Sequence, residues 1–284
     1  MGDNMEKYIL GLYEKSMPNT LSWKEKLLCA KECGYDYIEI SIDETDEKLS
    51  RLDMSKEERK ELLDTMFECD IPISSMCLSG HRKYPLGSLN KETRDKGMEI
   101  MRKAIDLACD LGIRIIQIAG YDVYYEEGNE ETKKYFEDNL RKSVEMAAQK
   151  GVILAFETME TEFMNTVEKA MEYVKLIDSP YLKVYPDCGN VTNATLKYGT
   201  EAVDDFILGK GHIAAVHLKE TIPGKFREIP FGTGHVNFEE IIKVSLDLGV
   251  RRFTTEFWYV NNDDWKDVIK YNRKFIDEKF SSVM

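Results

Sequence analysis

A repeated pattern constrains the fold of this chain more than any other feature: an amphipathic helix, a glycine and then a short apolar strand. It occurs at Cys33-Gly34-Tyr35, Leu111-Gly112-Ile113, Lys150-Gly151-Val152 and Leu248-Gly249-Val250. A glycine just past a helix end can adopt the left-handed backbone that closes the last carbonyls, and a strand can follow at once. The pattern therefore predicts a regular alternation of helices and strands.

Capping signals mark the starts of several predicted helices. Four segments have a Ser or Asn three residues before a Glu, the spacing of a capping box or its Asn analogue: 22–25, 55–58, 165–168 and 237–240. In a capping box the first side chain accepts a backbone N–H of the first turn, and the Glu returns a hydrogen bond. Each segment therefore predicts that a helix begins there.

Together these signals predict eight strands and eight helices. The strands are expected at about 8–14, 36–42, 72–78, 113–119, 152–157, 182–187, 213–219 and 252–257. The helices are expected at about 22–33, 55–69, 92–111, 130–149, 165–177, 201–209, 237–248 and 264–280. The strands are continuous apolar runs rather than alternating ones, which is typical of parallel strands covered by helices.

Eight strand–helix units in a chain of 284 residues match a TIM (β/α)8 barrel in both number and length. The alternative is a doubly wound α/β sheet, which is disfavoured because no Gly-x-Gly-x-x-Gly motif follows the first strand. No linker or low-complexity tract divides the chain. We therefore expect a single domain that spans residues 1–284.

The charge balance limits the partners that the chain can have. Its 39 Lys and Arg against 52 Asp and Glu give a formal net charge of −13, which argues against a nucleic-acid partner. A small anionic substrate stays possible, since it needs only a local cluster of basic residues. No run of 18 apolar residues is present, so a membrane partner is not expected either.

The termini and the cysteines bear on the compartment. Residues 1–7 are polar with no apolar segment behind them, so we expect no signal peptide. The six cysteines include no Cys-x-x-Cys pair, and most of them lie in apolar stretches. We expect buried free thiols, a reducing compartment and hence a cytoplasmic location.

Metal-capable side chains stand at the ends of the last four predicted strands. They are Glu157, Asp187, His217 and Glu256, each about one strand–helix unit after the previous one. In a TIM barrel the carboxyl ends of the strands converge on one face, where active sites lie. We therefore expect these side chains to meet at the mouth of the barrel.

Three carboxylates and one imidazole suit one divalent ion with open coordination positions, such as Mn²⁺, Zn²⁺, Co²⁺ or Mg²⁺. Each residue alone has another explanation. A carboxylate at a strand end can cap a helix or form a surface ion pair, and a histidine in an apolar strand can belong to the core. Because the four residues occur in phase with the strand count, a shared metal site is favoured over four separate structural roles.

Basic residues near the predicted mouth are candidates for binding an anionic part of the substrate. They are His81 and Arg82 after the third strand, and Lys219, Lys225 and Arg227 after the seventh. The alternative for residues 81–83 is a solvated basic loop. Residues 121–125 are rich in tyrosine and follow the fourth strand, where they could form a wall of a sugar pocket or pack as an ordinary loop.

Several longer stretches resemble a known family. They are GLYEK at 11–15, SIDETDEKLSRLD at 41–53, SMCLSGHR at 75–82, IMRKAI at 100–105, IAGYDVYY at 118–125 and AVHLKET at 215–221. With them the chain resembles the xylose-isomerase-like TIM barrels, and within these the L-ribulose-5-phosphate 3-epimerases of L-ascorbate utilisation. The resemblance covers nearly the whole chain.

The resemblance implies an isomerase of carbohydrate metabolism that interconverts L-xylulose 5-phosphate and L-ribulose 5-phosphate. It also implies a metal site at the four strand-end residues named above. The mechanism that we expect removes the hydrogen at C3, next to the ketone, and returns a proton on the opposite face of an enediolate held by the ion. Glu157 and Glu256 are the expected pair of bases, and both would also ligate the ion.

One departure bears on the substrate. Related epimerases of unphosphorylated ketoses carry a histidine three residues after the metal aspartate, where this chain has Asn190. The difference argues against a free ketose as the substrate. It leaves open which side chain steadies the sugar oxygens at that position, and a hexulose 6-phosphate remains an alternative substrate.

Other functions are conceivable on the same barrel. An aldose–ketose isomerase that works by hydride shift would need two metals, and an endonuclease would need a histidine-rich cluster and a basic face. A sugar-phosphate sensor without activity would be expected to lack one of the two acid–base carboxylates, and both are present here. A homo-oligomer is possible.

Overall fold

Parallel β-strands and the helices between them form the chain from residue 8 to residue 284, the part that this computed structural model describes. The strands are β1 Ile9–Tyr13, β2 Tyr37–Ile42, β3 Ile73–Leu78, β4 Ile115–Ala119, β5 Ile153–Glu157, β6 Leu182–Tyr185, β7 Val216–Leu218 and β8 Arg252–Thr255. Residues 1–7, on which the prediction about a signal peptide rests, lie outside the described residues. The prediction of one domain over 1–284 stays a prediction.

The helices follow the strands in chain order. They are α1 Trp23–Glu32, α2 Asp46–Ser50, α3 Lys56–Cys69, α4 Lys91–Leu111, α5 Glu130–Lys150, α6 Val167–Ile177, α7 Cys188–Tyr198, α8 Ala202–Leu208, α9 Phe238–Asp247 and α10 Trp265–Val283. Short 3-10 turns lie at Glu14–Ser16, Arg51–Asp53 and Gly80–Arg82. No helix between residues 8 and 284 is long and apolar enough to cross a membrane.

The sheet closes on itself, which confirms the TIM barrel and excludes the doubly wound sheet. Its strand order is β6-β5-β4-β3-β2-β1-β8-β7, and every pair in it is parallel. The pairing of β1 with β8 joins the first strand to the last. Two isolated parallel bridges, Val184 with Ile213 and Asp187 with His217, connect β6 to β7 and complete the circle.

The capping signals are confirmed at three of the four predicted positions. Ser22 and Ser55 form complete capping boxes, and the Asn237 side chain accepts from the backbone of Glu240. The prediction at 165–168 is wrong by one residue, because α6 is capped by Thr166. The Asn165 side chain instead bonds to the Tyr198 hydroxyl on α7.

Two helices, α2 and α7, were not predicted. The α7 sequence contains a glycine, β-branched residues and two asparagines, all of which have low intrinsic helix propensity. What starts this helix is Asp187, whose side chain accepts the backbone N–H of Asn190 at 2.8 Å. The helix that follows the sixth strand is therefore tied directly to a residue of the predicted metal site.

The two faces of the barrel strands differ in chemistry. One set of alternate residues packs outward against the helices in a single apolar cluster that includes Leu10, Ile40 and Phe156. The other set faces the inside of the barrel and is largely polar. Tyr185 on β6 donates to Glu39 on β2 at 3.0 Å, a hydrogen bond that crosses the interior because these strands are not neighbours.

A buried ion cluster fixes the loops after β1 and β2. Glu14 is fully buried and bonds to Lys26 at 2.7 Å, to Lys48 at 3.0 Å and to Arg51 at 2.6 and 2.8 Å. Burial alone would raise the pKa of the Glu14 carboxyl, but Arg51, Lys26 and Lys48 together hold it well below its usual value. The carboxylate thus compensates three cations at once.

We expect Glu14→Gln to destabilise the protein by about 3–5 kcal/mol, because it leaves buried cations without a counter-charge. Urea-induced unfolding followed by circular dichroism measures the change. The matched control is Asp64→Asn, which breaks the exposed ion pair with Lys60 and should cost less than about 1 kcal/mol. Equal effects of the two substitutions would contradict this role for Glu14.

Candidate metal centre and active site

The structure brings the four predicted strand-end residues together. Each lies at the carboxyl end of its strand: Glu157 ends β5, Asp187 follows β6, His217 lies in β7 and Glu256 follows β8. All four are buried, and one potential ligand atom from each lies within 4.8 Å of the others. The His217 Nδ1 atom is 3.8 Å from Glu157, 4.0 Å from Asp187 and 3.5 Å from Glu256.

The donor set fits a divalent cation. Asp187 Oδ2 and Glu256 Oε2 are buried and face the Lys219 ammonium at 2.8 and 3.4 Å. One ammonium beside three buried carboxylates leaves negative charge that a bound cation would offset. Three oxygen donors and one nitrogen donor match ions such as Mn²⁺, Zn²⁺, Co²⁺ or Mg²⁺. The cluster could therefore hold one such ion.

The carboxyl groups perturb one another strongly without an ion. Burial, followed by the charge of Glu256, raises the pKa of Glu157 to about 8. Burial also raises the pKa of Asp187 to about 7, although Lys219 acts in the opposite direction. Burial would raise the pKa of Glu256 as well, but Lys219 and His217 bring it well below its usual value. The cluster is thus short of positive charge.

His217 is oriented by a carboxylate that sequence reasoning missed. Its Nε2 atom donates to Glu39 Oε1 at 2.6 Å, so the Nδ1 atom, which lies 3.1 Å from the Gln117 side-chain nitrogen, is the one that faces the three carboxylates. Glu39 is fully buried in β2 and also accepts from Ser75 at 2.8 Å and from Tyr185 at 3.0 Å. A charged residue inside the apolar run 37–42 was the signal in the sequence that could have identified it.

Lys219 lies inside the cluster rather than at the rim of the cavity. Its Nζ atom is 2.8 Å from Asp187 Oδ2, 2.8 Å from Asn190 Oδ1 and 3.4 Å from Glu256 Oε2. The side chain is nearly fully buried. This position differs from the phosphate-binding place that the sequence suggested for it.

Arg82 and Arg227 line the open cavity above the cluster. The Arg82 guanidinium lies 4.7 Å from the Tyr124 ring, and the Arg227 guanidinium lies 5.4 Å from the Trp258 ring. Among the ion pairs between residues 8 and 284, none involves either guanidinium. The Arg82 Nε atom is buried without a hydrogen-bond partner.

Two of the predicted substrate-binding residues lie elsewhere. His81 is buried beside α4 with its Nε2 atom 3.0 Å from the carbonyl oxygen of Gly97, and burial lowers its pKa to about 4. Lys225 is exposed, and its backbone pairs with Ile222. Neither lines the cavity in the described part of the chain, whereas Lys15, which was not predicted, does.

The barrel and its cluster agree with the comparisons to known proteins. A family model described as a xylose isomerase-like TIM barrel matches residues 28–279. The chain therefore belongs to the xylose isomerase-like TIM barrel family.

One relative is the L-ribulose-5-phosphate 3-epimerase UlaE of Shigella boydii serotype 18. It is 45% identical over 256 residues, which cover 90% of this chain and 89% of the relative. The resemblance seen in the sequence is thus confirmed, and so is the prediction of an isomerase at the level of such relatives.

Solved structures show the same fold. A D-tagatose 3-epimerase-like protein superposes with a TM-score of 0.78 at 19% identity, over 97% of this chain and 100% of its own. A xylose isomerase-like TIM barrel protein from Mycobacterium smegmatis, solved in complex with magnesium, gives a TM-score of 0.71 at 17% identity, over 97% of each chain.

We expect Glu39→Gln to weaken the binding of a divalent ion about 10- to 100-fold, because removing a carboxylate behind a ligating histidine lowers its basicity and frees its ring. Isothermal titration calorimetry with Mn²⁺ or Zn²⁺ measures the affinity. Glu61→Gln on the exposed face of α3 is the matched control. An affinity equal to that of the control would remove the support for this role of Glu39.

Proposed function

We propose that this chain is a metal-dependent 3-epimerase that interconverts L-ribulose 5-phosphate and L-xylulose 5-phosphate. The observation that carries the proposal is the buried cluster of Glu157, Asp187, His217 and Glu256, found in a chain 45% identical to an enzyme of that name over 90% of its length. The unpaired guanidiniums of Arg82 and Arg227 above the cluster add support, since they suit a phosphorylated substrate.

The reaction needs one base on each face of the sugar at C3. Glu157 and Glu256 stand on β5 and β8, on either side of the two intervening ligands, and both line the cavity. One carboxylate removes the C3 proton, and the electron pair passes to the C2 carbonyl to give a planar enediolate. The other carboxyl group then gives a proton to the opposite face of C3. The roles exchange in the reverse direction.

Asp187 and His217 would hold the ion, and we assign no proton transfer to either residue. The Asp187 carboxylate is fixed by the backbone N–H of Asn190 and by the Lys219 ammonium, and the His217 ring is fixed by Glu39. When bound, the divalent ion acts as a Lewis acid that polarises the ketone.

The phosphate is proposed to lie between Arg82 and Arg227. Both guanidiniums line the same cavity, Arg82 over the Tyr124 ring and Arg227 over the Trp258 ring. Two cations without carboxylate partners can bind a phosphate dianion through charge-assisted hydrogen bonds. His81 and Lys225, which were also predicted from the sequence, are not part of this proposal.

The direct test is an NMR time course of L-ribulose 5-phosphate in D₂O with Mg²⁺- or Zn²⁺-loaded protein. We expect L-xylulose 5-phosphate with deuterium at C3, and loss of this activity when the ion is chelated. A hexulose 6-phosphate in the same assay tests the alternative substrate. An aldose product without deuterium would instead indicate isomerisation by hydride shift and would overturn the proposal, as would the absence of any turnover.

The two-base mechanism makes a sharper prediction. Glu157→Gln and Glu256→Gln should each lower epimerisation about 10²–10⁴-fold. Each variant should still exchange the C3 hydrogen of one epimer with solvent, and the two variants should select opposite epimers, because one base remains in each. Proton NMR of both epimers in D₂O reads this out, with the bound metal of each variant measured in parallel. Full epimerisation by either variant would rule out these roles.

The phosphate site predicts a selective effect on substrate binding. Arg82→Met and Arg227→Met should each raise the KM for the 5-phosphate about 10- to 100-fold, the size of a lost charge-assisted hydrogen bond, with little change in kcat. Unphosphorylated L-ribulose should be turned over equally by both variants and the original protein. Lys274→Gln on the exposed face of α10 is the control. Equal losses with both sugars would argue against a phosphate site here.

The cellular context follows from the same resemblance. A place in L-ascorbate catabolism and a cytoplasmic location remain predictions, as does a homo-oligomer. The reaction proposed above concerns only a small sugar phosphate and this chain.

A further inference from the structure

Lys219 is the only lysine in the described part of the chain that contacts two residues of the proposed metal site. It lies two residues after His217, so both side chains leave β7 on the same side and face the barrel interior. Its Nζ atom is within 3.4 Å of both Asp187 and Glu256 and lines the cavity. The ammonium group therefore stands beside the place where the reacting carbon must lie.

The position of the ammonium group is fixed by Asn190. The Asn190 backbone N–H bonds to Asp187 Oδ1, and its Nδ2 atom donates to the carbonyl oxygen of Thr158, each at 2.8 Å. Because the amide nitrogen is used in this way, the amide oxygen faces Lys219 and accepts from it at 2.8 Å. Asn190 and Asp187 thus hold two of the three N–H groups of Lys219.

The negative charge of the cluster indicates a function for this ammonium group. Three carboxylates face the proposed ion, and Glu39 stands behind His217, so a divalent ion alone leaves excess negative charge. Removing a proton from C3 adds further negative charge on the sugar oxygens next to it. A fixed cation at this point lowers the energy of that charge, whereas a water-filled site would have to reorganise.

A phosphate is a poor partner for Lys219. The ammonium group already contacts two carboxylates, so a phosphate dianion bound there would meet the repulsion of Asp187 and Glu256 at close range. Arg82 and Arg227 form no ion pair in the described part of the chain, although Glu160 lines the same cavity. A single neutral sugar oxygen that gains charge only during the reaction fits the place better.

We propose that Lys219, held by Asn190, is a catalytic hydrogen-bond donor to the sugar oxygens beside C3 and not a phosphate ligand. It keeps its proton throughout, so no bond to the sugar forms or breaks at this residue. The inference rests on the epimerase function proposed above.

The test compares Lys219→Met with the original protein in two assays. We expect kcat to fall about 10²–10³-fold, with the 5-phosphate and with unphosphorylated L-ribulose alike, while the KM for the 5-phosphate changes less than about threefold. Exchange of the C3 hydrogen in D₂O should slow by the same factor. The affinity for Mn²⁺ or Zn²⁺, measured by calorimetry, should be kept or increased, because a competing cation has been removed.

Further variants keep the test decisive. Lys219→Gln retains a neutral N–H donor and should lose less activity than Lys219→Met, and it replaces the methionine variant if that one does not fold. Asn190→Ala should lower kcat about tenfold with unchanged KM, since the donor is then less well positioned. Circular dichroism checks the fold of each variant.

Three outcomes would overturn the inference. A large rise in KM for the phosphorylated sugar alone would make Lys219 a phosphate ligand, and a loss of metal binding would make it a structural part of the cluster. Unchanged kcat in a metal-loaded Lys219→Met variant would overturn this inference while leaving the epimerase function standing. If the original protein does not exchange the C3 hydrogen at all, the proposed function fails, and this inference fails with it.

Discussion

Repulsion among three carboxylates buried at one end of the barrel is the constraint on which the rest of this site depends. Glu157, Asp187 and Glu256 come from three different strands and approach one imidazole within about hydrogen-bonding range of each other. Such a group is unstable unless cations compensate it. The chain supplies one fixed cation, Lys219, and the geometry leaves room for a second positive charge. The energy that this arrangement costs would be the source of its affinity for a cation.

The interior of the barrel supports that cluster from below. Glu39 on β2 accepts hydrogen bonds from Ser75 on the neighbouring strand β3 and from Tyr185 on β6 across the barrel, and it lies behind His217. Outside the strands, apolar packing against the helices holds the barrel together. Stability and function therefore use opposite faces of the same strands, which lets the inner face be polar without weakening the core.

Much of this was predictable because a barrel repeats one unit. Glycine-marked helix ends located four of the eight strands, and strand ends located all four members of the cluster. What escaped prediction depends on three dimensions. Asp187 starts α7 despite weak helix propensity in the helix itself, and His81 and Arg82 are neighbours in one 3-10 turn yet one is buried beside α4 while the other lines the cavity. In the sequence, Glu39 could be recognised only as a charged residue inside an apolar strand, because its partner His217 lies 178 residues away.

The pairing between β6 and β7 is the least extensive strand pairing of the barrel. Pro186 interrupts it because it has no N–H to donate, and only the bridges at Val184 and Asp187 connect the two strands. The second bridge pairs Asp187 with His217, so an ion bound by both residues would link β6 and β7. Ion binding would therefore add a second link at this point of the barrel wall, beside the hydrogen bond that the His217 backbone N–H donates to the Pro186 carbonyl oxygen at 2.9 Å.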